Sequence, residues 1–130
     1  MLISLEIDGK TRAGLPVRVP DSFALREEVV MAYAASDGDP THRLYTLAAA
    51  VSLCVPLLRL RLPHEGHGVE GIFVHGRKAY DALRSRGAAR DAITEAGAEI
   101  VGELFADVFP REDEIEEAEG NSEAPEGGST

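Results

Sequence analysis

The chain has 130 residues and a formal net charge of −10, with 23 acidic side chains against 13 lysines and arginines. That length supports one domain with a modest core and leaves no room for a second. So acidic a chain is repelled by phosphate backbones and anionic lipid, so nucleic acid and membrane are excluded as primary partners and proteins are favoured.

The acidity is concentrated at one end. Residues 111–130 hold one arginine and eight carboxylates, a net −7, with Ile115 as their only large apolar side chain, and residues 1–110 carry the remaining −3. This composition predicts a folded domain over 1–110 and an acidic, disordered tail over 111–130, which cannot bury enough apolar surface to offset its ordering entropy. The expected fold class is α+β and mainly helical: an N-terminal β-hairpin, four helices, then the tail.

Ile3, Leu5 and Ile7 alternate with Ser4 and Glu6, and Leu15, Val17 and Val19 alternate with Pro16 and Arg18, the period of half-buried strands. Asp8-Gly9 supplies a turn between them. A two-residue turn there pairs Ile7 with Lys10 rather than with Leu15, so the loop is expected to extend to Gly14. Pro16 cannot donate to a ladder and predicts an edge position.

Asp21-Ser22 offers an N-cap to a first helix, whose stripe Leu25, Val29, Ala32 and Tyr33 ends at Ser36-Asp37-Gly38. Asp39-Pro40 repeats the start signal for a second, the most buried, with Leu44, Leu47, Ala48, Val51, Cys54, Val55 and Leu58 as a broad apolar surface. Ala48-Ala49-Ala50 is expected to admit a close backbone neighbour, and Pro56 to end or kink the helix. Leu60 and Leu62 alternate with arginines like a short strand, and Pro63 to Gly68 reads as a loop. A third stripe, Ile72, Gly76, Ala79, Tyr80 and Leu83, closes at Gly87. A fourth, Ile93, Gly97, Ile100, Val101, Leu104, Phe105 and Val108, ends at Pro110.

The apolar run Leu44 to Leu62 is broken by Arg59, Arg61 and Pro56, too short for a bilayer span and too far from the N-terminus for a secretion signal. The expected setting is soluble and intracellular. Cys54, the only cysteine, has no partner for an intrachain disulfide and reads as a buried thiol rather than a nucleophile, which needs a nearby cation or a helix N-terminus.

Gly66, Gly68 and Gly71 match G-x-G-x-x-G, but a dinucleotide site needs a βαβ unit, and a fourth helix follows here instead of a strand. His64, Glu65 and His67, with His75 further on, are suitable zinc ligands, yet no cysteine is near and two histidines do not fall four apart on a helix. A solvated loop is expected. Glu27-Glu28 and Glu116-Glu117 splay about 100° apart on a helix and read as solvated faces. Arg77, Lys78, Arg84 and Arg86 could form a basic patch able to dock the tail, although Arg77, Asp81 and Arg84 are also spaced for surface ion pairing.

The succession Gly76-Arg77-Lys78-Ala79-Tyr80-Asp81-Ala82-Leu83 closed by Arg86-Gly87, then Ala92 to Ile100, then the acidic Pro110 to Pro125, resembles the tail assembly chaperones of long-tailed bacteriophages over roughly residues 72–126. The resemblance implies a non-enzymatic protein of the host cytoplasm that binds the phage tape measure protein and keeps it soluble while the tail tube assembles. The tail tube protein is a second implied partner, and a homo-oligomer is compatible. No cofactor, metal or catalytic residue is implied. The candidate partner-contacting residues are Leu47, Ala48 and Val51 on the second helix and Tyr80 and Leu83 on the third. Two other classes compete: a protein-protein adaptor or regulatory module, antitoxin-like or head-to-tail connecting, acting through its acidic tail, and a small metal-dependent enzyme using His64, Glu65 and His67.

Overall fold

Asp8 and Gly9 both take positive φ, 57° and 75°, the backbone of a tight hairpin turn whose twist matches the flanking strands. The computed structural model in which they sit describes residues 1–58 and 68–108. The turn joins β1 (Leu2–Ile7) to β2 (Lys10–Pro16) in an antiparallel pair that starts at Ile7 opposite Lys10. The expected long loop to Gly14 is therefore not formed. The apolar registers are reconciled instead by a bulge: Leu5 pairs with Arg12 but Ile3 pairs with Leu15, so β2 spends one residue more than β1, and Gly14 at φ 67° lies in that step. The extra residue rotates Leu15 onto the face of Ile3, Leu5 and Ile7, and all four are buried. Val17 and Val19 fall beyond β2, half-buried, where the Val17 amide donates to the Met1 carbonyl at 3.0 Å. Pro16 closes the strand against Leu2 at the open end of the two-stranded sheet.

Four helices follow, as the pattern predicts. Ser22 caps α1 (Phe23–Ala35), its Oγ accepting from the Leu25 amide at 3.2 Å. Asp39 caps α2 (Pro40–Cys54) by accepting from the His42 amide at 3.1 Å, with Pro40 in the first helical position, where its missing N–H costs nothing. Pro56 ends α2 and opens a 3-10 turn over Pro56–Leu58. The third helix, α3 (Gly68–Ser85), starts about one turn earlier than the Ile72 stripe suggests, and α4 (Arg90–Val108) is the longest element. Gly68, the last residue of the expected Pro63–Gly68 loop, opens α3 instead; the rest of that loop, the expected strand near Leu60 and the acidic tail lie outside the described residues.

Each of α1 and α2 bridges α3 and α4, which touch each other little. From Thr46 to Val51, α2 is buried at every consecutive position, the signature of a helix enclosed on all sides. Ala48, Ala49 and Ala50 are all fully buried within this enclosure, and two of the approaches that form it are made by glycines of the neighbouring helices. A Cβ on Gly76 of α3 would fall on the Tyr45 carbonyl, and one on Gly97 of α4 would lie 2.5 Å from the Leu47 carbonyl oxygen and 2.7 Å from its Cβ. Side chains on two facing helices normally hold their axes 8–10 Å apart, and glycine removes that spacer.

The buried polar side chains Thr46, Ser36 and His75 each make a hydrogen bond. Thr46 Oγ1 donates to the His42 carbonyl at 2.9 Å, Ser36 Oγ to the Tyr33 carbonyl at 2.8 Å, and His75 Nε2 lies 2.9 Å from Ser52 Oγ. Among the described residues no helix is long and apolar enough to cross a membrane.

Candidate functional site

The five residues expected to contact a partner belong to the body's own core. Leu47, Ala48, Val51 and Leu83 are 3% exposed or less, and Tyr80 is half-buried against them. The correction has a simple cause. The apolar stripes of α2 and α3 face each other across the Gly76–Tyr45 contact, so the most apolar surfaces in the sequence satisfy one another and present nothing to a partner.

Uncovered apolar surface lies elsewhere. Phe23 and Met31 on α1 are 50% and 48% exposed. Ala24, Glu27, Met31 and Ala34 recur at spacings of three and four along the same exposed side, so only one charge interrupts it. Short alanine side chains near a methionine form a shallow, adaptable surface. Val74 on α3 and Leu57 beside the hairpin are further exposed apolar residues.

The basic cluster expected along α3 separates into individual roles. Arg84 donates from Nη1 to the Ala88 carbonyl at 2.8 Å, bracing the turn between α3 and α4, and the spaced Arg77, Asp81 and Arg84 make no ion pair with one another within the described residues. Arg86 is a three-way tie. Its Nη2 and Nε donate to the two oxygens of Asp8 at 2.5 and 3.1 Å, and its Nη1 to the Leu58 carbonyl at 2.5 Å, while its own carbonyl accepts from the Asp8 amide at 2.6 Å. A bidentate arginine–carboxylate pair thus bolts the hairpin turn to the α3–α4 corner. Arg12 stands 3.8 Å from the same carboxylate. Together Arg12, Leu15, Leu57 and Arg86 line a cleft of about 420 Å³ between the hairpin and the 3-10 turn.

A second shallow pocket, about 260 Å³ lined by Ser36, Gly38, Asp39, Pro40 and Arg43, marks the α1–α2 corner. Arg43 is engaged there: Nε donates to Ser36 Oγ at 2.8 Å, Nη2 to the Tyr33 carbonyl at 3.0 Å, and the guanidinium stacks 3.8 Å from the Tyr33 ring centre. His42 stacks on Phe73 at 4.3 Å and reaches Asp39 Oδ2 from Nδ1 at 2.6 Å. These contacts brace the corner and explain its shape.

Hydrogen bonds from Arg86 hold the Asp8 carboxyl below the usual aspartate range, and those from His42 do the same for Asp39. A carboxylate whose folded pKa is depressed stabilises the fold above its unfolded value of about 3.9, and that contribution is lost as pH falls through the lower folded value. Acid should therefore loosen the hairpin corner. In urea titrations between about pH 6 and pH 3, Asp8→Asn is expected to start less stable than the parent and to lose less on acidification. Equal losses in both proteins would refute the assignment.

Cys54 is 0% exposed, and burial pushes its thiol up to about 12. The thiolate is then negligible at neutral pH, as the sequence suggests for a packing residue. A thiol-specific reagent is expected to leave Cys54 untouched in the native protein and to titrate one thiol on unfolding, so rapid native labelling would contradict this burial.

Among the described residues no group of three or more histidine, cysteine, aspartate or glutamate side chains could hold a metal ion. His64, Glu65 and His67 lie outside them. The Asp8–Arg86 tie, made across 78 positions of sequence, had no local signal, whereas Gly76 and Gly97 were visible as glycines inside apolar helical stripes. No family model matches the chain, and no curated protein or solved structure is significantly similar to it.

Proposed function

We propose that the chain is a non-enzymatic assembly chaperone of the phage-tail type, binding a long helical tape measure protein and keeping it soluble in the host cytoplasm. The observation that supports this most is the side of α1 left uncovered by the body: Phe23 and Met31 at half exposure, with Ala24 and Ala34 on the same side. A partner helix laid along α1 removes that surface from water without disturbing the core, and the order of elements over residues 72–126 resembles the same family. The contact residues proposed are therefore Phe23 and Met31 rather than Leu47, Ala48, Val51, Tyr80 and Leu83.

Co-expression with the tape measure protein of the same phage tests the reading. The parent is expected to raise the soluble fraction of the partner several-fold, and the double variant Phe23→Asp, Met31→Asp to lose that effect. Exposed substitutions of this kind change stability by only about 0.5 kcal/mol, so a thermal melt should show the variant still folded. Binding through apolar surface should also give a negative heat-capacity change and only moderate weakening by salt. A folded double variant that solubilises the partner as well as the parent does would defeat the proposal. The adaptor reading is favoured by the net −7 of residues 111–130 and predicts steep weakening of binding with salt.

A further inference from the structure

The body has a cationic pole far from the root of its acidic tail. Lys10 and Arg12 follow the hairpin turn, Arg84 and Arg86 end α3, and Arg90 begins α4. The backbone bond from Asp8 to Arg86 and the bond from Arg84 to Ala88 gather these three segments into one corner. Five cations meet three carboxylates there, Asp8, Asp91 and Asp81 one turn before Arg84, while Glu6 lies across from Thr11 on the other face of the hairpin. Four of the five cations, Lys10, Arg12, Arg84 and Arg90, are exposed.

The opposite end of α4 has the opposite character. Glu95, Glu99, Glu103 and Asp107 recur every four residues on its exposed side, no basic residue of α4 occupies its last turn, and of the four only Asp107 has an ion pair among the described residues, with Arg26 of α1 at 2.5 Å. Carboxylates that continue from such a helix are repelled by its C-terminal dipole and by this acidic line. The 19 residues of α4 place the pole about 28 Å from Val108 at 1.5 Å per residue. Residues 109–130 number 22 and reach about 70 Å when extended, more than twice that distance.

We propose that the acidic segment 111–126 docks in cis on the pole formed by Lys10, Arg12, Arg84, Arg86 and Arg90 of its own body. Charge complementarity supplies the attraction, with −7 over residues 111–130 meeting a corner whose five cations outnumber the carboxylates Asp8, Asp81 and Asp91, and the tether keeps the segment at an effective concentration in the millimolar range. The cleft lined by Arg12, Leu15, Leu57 and Arg86 lies within this footprint, with a half-exposed Leu57 between its two arginines. Docking therefore covers this basic corner against other anionic chains, and a stronger basic partner of the tail would uncover it.

A nitroxide on Ser122→Cys in the full-length chain tests the proposal, because the buried Cys54 does not compete for the label. With about 20 mM salt, amides of residues 10–15 and 84–91 should lose most of their signal relative to the reduced label, and recover at about 500 mM, where screening acts within a few ångströms. Lys10→Glu, Arg12→Glu and Arg90→Glu together should abolish the low-salt loss. A mixture of isotope-labelled chains without nitroxide and unlabelled chains with it should show little broadening. The proposal is overturned by unbroadened amides at the pole, by broadening centred elsewhere, by broadening that survives the triple reversal, or by broadening as strong in the mixture, which would place the tail on a second copy.

Discussion

Gly76→Ala is expected to destabilise the fold by about 1–3 kcal/mol or more, although alanine is the better helix former. The added methyl falls on the Tyr45 backbone carbonyl. A backbone group of a buried helix cannot swing aside as the end of a flexible side chain can, so α3 must withdraw from α2 and open the core between them. Gly97→Ala should behave alike, since its methyl meets the Leu47 carbonyl oxygen and Cβ on the other side of the same helix. Gly102 is the control. It lies on α4 with nothing within 4 Å of an added Cβ, so Gly102→Ala should stabilise by about 0.5–1 kcal/mol through helix propensity alone. Denaturant midpoints of the three variants decide the matter: opposite signs support the glycine contacts, and a uniform stabilisation would mean that α2 is not gripped as described.

Local signals in the sequence were the most reliable. Ser22, Asp39-Pro40, Pro56 and the four apolar stripes each act within a few residues, and each produced the helix boundary or buried face expected of it. The hairpin turn was legible at Asp8-Gly9, yet the register was not, because the bulge at Gly14 depends on Leu15 reaching the core rather than on any neighbour in sequence. Small residues admit a close neighbour from either side, and only tertiary geometry shows that the glycines of α3 and α4 press on α2 at Tyr45 and Leu47. Most of the residues expected to meet a partner are buried, for a related reason. Apolar periodicity identifies what a helix buries but not whether the burial is against its own chain, so Leu47, Ala48, Val51 and Leu83 read equally well as core or as binding face until the packing is known. Phe23 and Met31 carry the more useful sign, being large apolar side chains outside the stripe of their helix.

Leu104→Asp is expected to unfold the body. Leu104 is 0% exposed on α4, and removing a buried leucine side chain alone costs about 2–5 kcal/mol, as Leu104→Ala should show. Aspartate adds the penalty of an unpaired carboxylate in an apolar site, so the combined loss rivals the roughly 5–15 kcal/mol total stability of a domain. The defect should depend on pH in a specific direction. Burial raises the folded pKa of the introduced carboxyl above its unfolded value, so the protonated form is the better tolerated one, and the deficit relative to the parent should widen as pH rises from about 4 to neutrality. Glu117→Ala, in the acidic segment, should shift stability by no more than about 0.5 kcal/mol. Far-ultraviolet circular dichroism and thermal melts of the three variants measure this directly. Small and equal effects for Leu104→Asp and Glu117→Ala would show that α4 does not close the core, and with it would fall the separation between a packed helical body and the charged segment that follows.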